Sequence, residues 1–214
     1  MEIYPGVHLL KNIFVNLFLI VDKGHLTLID TGISGNQKKI LAYINTLGLP
    51  LTALDRIIIT HADGDHYGSL AHLQKTVSAE SHANQIEAEA IRKGTSSRLL
   101  KPEGINKFLY ALVSPLVRTQ PARIDQTITD GQMFPILGGL QAIHTPGHTP
   151  GHISLFSPTA GILFAGDSIN VSHGKLVPSS GANTWDLRQA ELSFDMQVKL
   201  NPAIVCAGHG YWRK

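Results

Sequence analysis

The segment 60–66 constrains this chain more than any other. It reads Thr-His-Ala-Asp-Gly-Asp-His and directly follows the apolar run 57–59, so two histidines and two aspartates stand at the end of a predicted buried strand. Imidazole nitrogens and carboxylate oxygens are ligands that zinc, iron and manganese accept. Gly64 permits a tight turn among them because it has no Cβ. A polar loop capping the next helix is the alternative, but four titratable residues this close would then repel one another or stay unpaired.

Composition predicts a single globular domain over 1–214. Hydrophobic residues make up 43% of the chain and charged residues 16%, which suits a sizeable core. The formal net charge of +2 is too near neutral to indicate a nucleic acid or an anionic membrane as partner. The N-terminus has no basic segment followed by a long apolar stretch, so we expect no signal peptide and a cytoplasmic location. The single cysteine, Cys206, excludes an internal disulfide, and its apolar neighbours predict a buried, unreactive thiol.

The order of predicted elements indicates an α/β fold. Strand–helix–strand alternation predicts parallel pairing with the helices outside the sheet. We expect a hairpin turn at 22–25, where a glycine can take positive φ. Apolar positions in the last helix predict Leu187, Leu192, Met196 and Leu200 as its inner residues. Strands are predicted at 7–10, 14–21, 26–29, 54–60, 76–79, 132–136, 140–144, 153–156, 161–165 and 203–207, and helices at 36–47, 68–75, 86–93, 104–117 and 186–200.

Residues 84–118 differ in character from the rest. The predicted helix 104–117 is apolar on most faces, and such a helix must cover a core, a pocket or a partner. We interpret 84–118 as a helical insertion that lies over the site and shapes the substrate cavity. Plain core packing is the alternative.

Five predicted strand ends carry a residue suited to a site, each followed by a turn. Besides the segment 60–66, these residues are Asp30, His148, Asp167 and His209. His148 stands in a loop that two prolines and two glycines make rigid. Strand ends on one edge of an α/β sandwich converge, so the candidates can meet in space. They exceed the needs of one ion and suit two divalent cations. The candidate ligands are His61, Asp63, Asp65, His66, His148, Asp167 and His209.

These motifs resemble those of the metallo-β-lactamase superfamily of hydrolases, over nearly the whole chain. The matching segments are 30–32, 60–66, 145–148, 166–167 and 208–210. The resemblance implies an αββα four-layer sandwich, in which two sheets face each other and helices cover both outer faces. It also implies a role for each candidate. His61, the residue at 63 and His148 would hold the first ion, Asp65, His66 and His209 the second, Asp167 would bridge them, and Asp30 would orient a ligand histidine.

The chain departs from the family motif at Asp63, where the family has histidine. With Asp63, Asp65 and Asp167 as ligands, three carboxylates and one bridging hydroxide balance the charge of two divalent ions. A less positive site favours harder ions, so iron and manganese stay open beside zinc, the expected ion. We expect Asp63 to bind the first ion. The alternatives are an acid that only supports the ligands and a weakly occupied first site.

The predicted activity is metal-dependent hydrolysis of a small ester-like substrate: a lactone, thioester, phosphoester or β-lactam-like compound. A hydroxide bridging the ions would attack the carbonyl or phosphoryl centre, and Asp65 is the predicted proton acceptor. Tyr67 and the helix 104–117 are candidates for substrate contacts, with packing as the alternative for Tyr67. Two other classes stay open: an iron-dependent oxidoreductase resembling persulfide dioxygenases, and a metal-binding protein without catalysis. A homodimer also stays open.

Most of the remaining histidines receive structural interpretations. His144 is expected to pack or to support the ligands, and His152 has a smaller chance of reaching the site than of packing. The others have no partners in the sequence and are expected at the surface. They are His8, His25, His72, His82 and His173.

Overall fold

Two facing β-sheets with helices on both outer sides form the architecture. The computed structural model describes residues 1–12, 14–98 and 119–214, and the predicted helix 104–117 lies outside these ranges. The first sheet has seven strands in chain order. They are β1 (Glu2–Tyr4), β2 (Val7–Leu10), β3 (Leu17–Asp22), β4 (His25–Ile29), β5 (Leu54–Ile58), β6 (Glu80–Asn84) and β7 (Gln126–Ile128).

The second sheet has six strands in the order β15-β14-β11-β10-β9-β8, and β12 and β13 form a separate hairpin. These strands are β8 (Met133–Phe134), β9 (Leu140–His144), β10 (Ile153–Ser157), β11 (Ile162–Gly166), β12 (Ile169–Ser172), β13 (Lys175–Pro178), β14 (Ile204–Ala207) and β15 (Gly210–Arg213). The helices are α1 (Gln37–Thr46), α2 (Gly64–Tyr67), α3 (Leu70–Leu73), α4 (Gln85–Lys93) and α5 (Leu187–Lys199), with a 3-10 turn at Leu51–Ala53.

The pairing of the strands follows the sequence pattern. β1 to β4 pair antiparallel through short turns, while β4, β5, β6 and β7 pair in parallel and are joined by helical segments. The predicted hairpin turn is present between β3 and β4, where Lys23 and Gly24 have φ of 51° and 82°. Two successive positive φ values match the right-handed twist of the flanking strands.

Both sheets bury both of their faces, which confirms the four-layer sandwich. Between the sheets, Phe18 and Phe164 meet edge to face with ring centroids 5.6 Å apart. On the other face of the first sheet, Leu19 and Ile57 pack with α1. On the outer face of the second sheet, Val205 packs with residues of α5. Burial of such aliphatic and aromatic side chains stabilises a fold by about 1.5–3 kcal/mol each.

Two element predictions were wrong in their boundaries. The strand expected at 76–79 lies at Glu80–Asn84, because α3 is followed by a turn and pairing with β5 begins only at Glu80. In place of one helix at 68–75, the structure has two short helices, α2 before that range and α3 within it, and α2 contains Asp65 and His66. The second half of the 60–66 motif is therefore helical.

Three of the four residues predicted on the inner side of α5 were wrong, while the fourth, Leu200, packs partly buried against the cluster that contains Val205. Leu187, Leu192 and Met196 are 56%, 56% and 38% exposed, whereas Ala190 and Gln197 are buried. The reason is close approach to the loop before β10. A Cβ on Gly147 would lie 2.4 Å from the Ala190 Cα, so only a small residue fits at that contact. Gln197, also on the inner side, is hydrogen-bonded there, with its Oε1 accepting from the Ser154 and Ser168 hydroxyls.

Two histidines expected at the surface are buried. His8 lies on β2 and is 9% exposed, with its Nδ1 3.2 Å from the Tyr43 hydroxyl oxygen. His82 lies on β6 and is 5% exposed. The prediction failed because the parallel and antiparallel strands of this sheet are covered on both faces. Among the helices of the described ranges, none is long and apolar enough to cross a bilayer.

We expect the Cys206 thiol of the folded protein to react only slowly with Ellman's reagent. The prediction of a buried cysteine is confirmed, since Cys206 is 1% exposed and burial raises its pKa well above the usual range. Both access and thiolate formation are therefore disfavoured. In guanidinium chloride the same thiol should react rapidly. Because the chain has one cysteine, rapid stoichiometric labelling of the folded protein would contradict this prediction directly.

Candidate metal centre

The strand ends deliver all seven predicted ligands to one edge of the sandwich. Asp30 follows β4, the segment 60–66 follows β5, Asp167 follows β11 and His209 follows β14, while His148 lies in the loop between β9 and β10. Their ligand atoms form three groups, within each of which all atoms lie within 4.8 Å of one another. The groups are His61, Asp63 and His148; Asp65, His66 and His209; and His61, His66 and Asp167.

The first group, which we call the first subsite, consists of His61, Asp63 and His148. The Asp63 Oδ2 atom lies 3.5 Å from His61 Nε2 and 3.1 Å from His148 Nε2. The other ring nitrogen of His148, Nδ1, lies 2.9 Å from the Ser179 hydroxyl oxygen. This contact fixes the ring so that Nε2 faces Asp63.

The second group, which we call the second subsite, consists of Asp65, His66 and His209, with Asp167 beside it. His209 Nε2 lies 3.6 Å from Asp65 Oδ2 and 3.1 Å from Asp167 Oδ2. His66 Nε2 lies 3.3 Å from Asp167 Oδ1. Asp167 Oδ2 is also 3.6 Å from His148 Nε2, so the carboxylate of Asp167 lies between the two subsites.

Three buried atoms in this cluster are chemically suited to a cation. His61 Nε2, His66 Nε2 and Asp167 Oδ1 are buried, and none makes a hydrogen bond of regular geometry with a described residue. His66 Nε2 and Asp167 Oδ1 face each other at 3.3 Å as an ion pair rather than a well-aligned hydrogen bond. Their residues make up the third group of converging ligand atoms. Buried polar atoms are normally hydrogen-bonded, so several unpaired ones that converge require an explanation. A divalent cation held by imidazole nitrogens and carboxylate oxygens satisfies all three.

Asp30 holds the base of the centre together. Its carboxylate accepts a hydrogen bond from the Thr60 backbone N–H at 2.8 Å, and its Oδ2 lies 2.8 Å from His66 Nδ1. The contact sets the His66 tautomer: Nδ1 carries the proton and Nε2 is left to face the second subsite. Asp30 has φ of 59°, a left-handed conformation that few residues other than glycine adopt.

Burial and charge act against each other at Asp63. Burial by itself would raise the pKa of Asp63. Contacts with His148 and His61, together with the charge of Arg98, hold that pKa well below its usual range. Asp63 is therefore a carboxylate, as a metal ligand must be.

The same opposition holds at the second subsite. Burial would raise the pKa of Asp167, but the neighbouring His66 and His209 hold it well below its usual range. Burial would lower the pKa of His66, but Asp167 and Asp30 raise it well above the usual value. The raised pKa of His66 favours a protonated ring, so an ion that binds His66 Nε2 must displace a proton.

Tyr67 packs in the structure. It is 1% exposed, and its hydroxyl oxygen lies 2.7 Å from Thr119 Oγ1 and 3.1 Å from the Thr95 carbonyl oxygen. Burial raises the pKa of Tyr67 to about 12. Its hydroxyl is used within the fold, which is the alternative that the sequence left open against substrate contact.

His152 touches the centre more closely than the sequence indicated. It is fully buried, its Nε2 accepts a hydrogen bond from the Asp167 N–H at 3.1 Å, and its ring centroid lies 5.0 Å from that of His61. Burial, followed by the neighbouring His61 and His148, holds the pKa of His152 well below its usual value. A neutral ring thus fixes the backbone of Asp167. His144 packs, with Nε2 3.1 Å from the Pro150 carbonyl oxygen.

Sequence reasoning also missed Asn16, which supports the turn that carries His209. The Asn16 side-chain amide donates to the carbonyl oxygens of Ala207 at 3.2 Å and Gly210 at 3.0 Å. The Asn16 backbone N–H donates to the Gly208 carbonyl at 2.7 Å. A single asparagine before β3 carries no sequence signal for this role, because its partners lie some 190 positions away.

Glu87 on α4 links three segments of the centre. Its Oε2 accepts from the Ala62 N–H at 2.7 Å, and its Oε1 accepts from Thr149 Oγ1 and the Gly151 N–H, both at 2.8 Å, and from Ser97 Oγ at 2.9 Å. The 60–66 motif and the loop of His148 are thereby fixed to one buried carboxylate. The available sequence signal was an acid on the otherwise apolar inner side of α4, beside Ala88 and Ile91.

Asp63 has two further partners that the sequence did not indicate. Arg98 N–H groups donate to Asp63 Oδ2 and, at 3.1 Å, to the His148 carbonyl oxygen. The Ser96 hydroxyl donates to Asp63 Oδ1 at 2.9 Å. Both carboxylate oxygens of Asp63 therefore have protein donors.

The fold and centre define a known class, and the sequence comparison agrees. The model of the metallo-beta-lactamase superfamily matches residues 10–209. The chain belongs to the metallo-β-lactamase superfamily.

The chain is also similar to individual relatives and to a solved structure. The uncharacterized protein YobT of Bacillus subtilis is 32% identical over 92% of this chain and 83% of its own length. The probable metallo-hydrolase YflN of Bacillus subtilis is 28% identical over 78% of this chain and 66% of its own length. An atrochrysone carboxyl ACP thioesterase of Aspergillus fumigatus is 26% identical over 91% of this chain and 37% of its own length. The chain therefore spans less than two thirds of the length of each of these last two relatives. A metallo-beta-lactamase family protein of Thermus thermophilus superposes with a TM-score of 0.74 at 23% identity, over 99% of this chain and 76% of that one.

We expect Glu87→Gln to destabilise the centre. Each carboxylate oxygen of Glu87 accepts from a backbone N–H, Oε2 from Ala62 and Oε1 from Gly151, so the amide NH₂ of glutamine must face one of these N–H groups. The free energy of unfolding should fall by about 1–3 kcal/mol, and the affinity for zinc should fall by roughly tenfold. Chemical denaturation and a zinc titration measure the two effects.

Glu89→Gln is the matched control for this prediction. It makes the same substitution on an exposed position of the same helix, so both quantities should stay at their wild-type values. Equal behaviour of the two variants would show that Glu87 does not hold the loops.

Proposed function

We propose that the protein is a metal-dependent hydrolase of a small ester-like substrate: a lactone, thioester, phosphoester or β-lactam-like compound. The observation that carries this proposal is the convergence of three buried ligand atoms without hydrogen-bond partners among the described residues, on His61, His66 and Asp167. Membership of the superfamily supports it, as do relatives named as a probable metallo-hydrolase and as a thioesterase.

Two divalent ions, zinc first, would be held at the two subsites. When bound, such ions lower the pKa of water and polarise the group under attack. The first subsite offers His61, Asp63 and His148. The second offers Asp65, His66 and His209, and Asp167 would bridge because it lies against both.

Asp65 is the residue we assign to proton transfer. Its side chain is 23% exposed, against 13% for Asp63 and 8% for Asp167. It is therefore the carboxylate of the cluster that a substrate or departing product can reach most easily. A carboxylate in hydrogen-bond reach of the leaving group can accept a proton and pass it on.

We expect turnover to require metal and the second subsite. Protein stripped with a chelator should be inactive on chromogenic thioesters, lactones, phosphodiesters and β-lactams. Added zinc should restore turnover of whichever of these substrates the untreated protein hydrolyses. His66→Ala should lower bound zinc and reduce kcat/KM on the order of a hundredfold or more. Both are measured by elemental analysis and by steady-state assays on the same preparations.

His25→Ala serves as the control, since His25 lies exposed at the turn between β3 and β4. Full activity after chelation, or in His66→Ala, would refute metal-dependent hydrolysis. Oxygen uptake by iron-loaded protein with a persulfide, without turnover of any ester, would identify an oxidoreductase. Full metal occupancy without either reaction would identify a metal-binding protein.

A further inference from the structure

Arg98 places a fixed positive charge inside the first subsite. It is 7% exposed, and its guanidinium donates to Asp63 Oδ2 and to the His148 carbonyl oxygen. Arginine stays protonated at every pH at which proteins fold. Two of the three residues of the first subsite, Asp63 and His148, are thus in direct contact with a cation that belongs to the chain.

The guanidinium holds the oxygen that an ion would need. Oδ2 is the Asp63 atom that faces both imidazoles, at 3.1 Å from His148 Nε2 and 3.5 Å from His61 Nε2. Oδ1 is turned away and accepts from the Ser96 hydroxyl. An ion coordinated by the two histidines would therefore compete with Arg98 for Oδ2, or would have to sit beside the guanidinium.

Burial makes that competition strong. The side chains of Arg98 and Asp63 are 5% and 13% exposed, so little water screens the guanidinium from a nearby cation. Repulsion between like charges grows as solvent is excluded. The ion pair also gives Asp63 a partner that it loses if Arg98 moves away, and breaking a buried pair is costly.

The second subsite has no such competitor among the residues that the structure describes. The ion pairs of Asp65 there involve only His209, and those of Asp167 involve only His66, His148 and His209. Histidines can lose their protons when an ion binds, whereas arginine cannot. The two subsites therefore differ in charge although both offer nitrogen and oxygen ligands.

We propose that Arg98 makes the subsites unequal: the second subsite binds its ion first and tightly, and the first accepts an ion only when the guanidinium releases Asp63. This inference rests on the proposed metal site. Arg98 acts here as a positioning residue that sets metal affinity. It gives the Asp63 departure from the family motif a definite physical consequence.

The test is a zinc titration of chelator-stripped protein. Calorimetry and competition with a chromophoric chelator measure the affinity of each binding step. The wild type should bind in two separated steps. Arg98→Met removes the charge and should raise the affinity of the weaker step by on the order of tenfold or more, while leaving the tighter step within about twofold. Arg98→Gln, which keeps amide donors for Asp63, should act in the same direction and serves if the methionine variant does not fold.

Two further variants assign the effect. In a His148→Ala background the weaker step should vanish, and Arg98→Met should then change nothing. Arg92→Met is the matched control, because Arg92 lies on α4 and donates to the Ile124 carbonyl at 2.8 Å. It should bind zinc like the wild type.

The outcomes separate the two proposals. If Arg98→Met and Arg98→Gln lower the affinity of the weaker step or leave it unchanged, Arg98 supports Asp63 as a ligand. The inference is then overturned while the metal site stands. If neither the wild type nor any variant binds zinc, the metal site itself is refuted, and the role of Arg98 falls with it.

Discussion

The buried carboxylate of Asp30 is the contact on which the centre depends. It lies at the end of β4 and binds both the Thr60 backbone at the end of β5 and the ring of His66. Two neighbouring parallel strands are thereby joined just where the metal-binding motif begins. The left-handed backbone of Asp30 costs free energy of about 1–3 kcal/mol, and these buried hydrogen bonds offset it.

The supporting residues and the candidate ligands differ in whether their buried polar atoms are hydrogen-bonded. Glu87, His152 and Asn16 form hydrogen bonds with the loops that they hold. His61 and His66 each keep one buried ring nitrogen without a hydrogen bond to the described residues. A polar network that is fully satisfied rigidifies its surroundings, while one unpaired atom is expensive. The rigid loops keep the ligand atoms from relaxing toward protein partners, which is how a site stays prepared for an ion.

The sequence could predict what depends on local pattern. The strand ends carrying Asp30 and Asp167 follow from apolar runs that stop at a polar residue, and both lie in the centre. Roles that depend on long-range contacts could not be predicted. Arg98 reaches Asp63 over 35 positions and Glu87 reaches Gly151 over 64, and no periodicity records such pairs. The inner side of α5 failed for a related reason: close backbone approach at Gly147 selects alanine over leucine, and the helical pattern alone favours leucine. The single-domain organisation and the assignment of ligands to ions stay predictions.

Arg98 also changes the charge argument that the motif suggests. Counting only ligands, Asp63 in place of histidine leaves the site without surplus positive charge, which would favour iron or manganese over zinc. The guanidinium bound to Asp63 cancels the added carboxylate, so the pair is as neutral as the histidine it replaces. Seen from the second subsite, the electrostatic environment is then that of the usual motif, and the preference for harder ions loses its basis there. At the first subsite the same guanidinium competes with the ion for Asp63 Oδ2. One substitution thus leaves the charge of the whole centre almost unchanged while it alters the affinity of one half, and the identity of the ion at each subsite becomes a separate question.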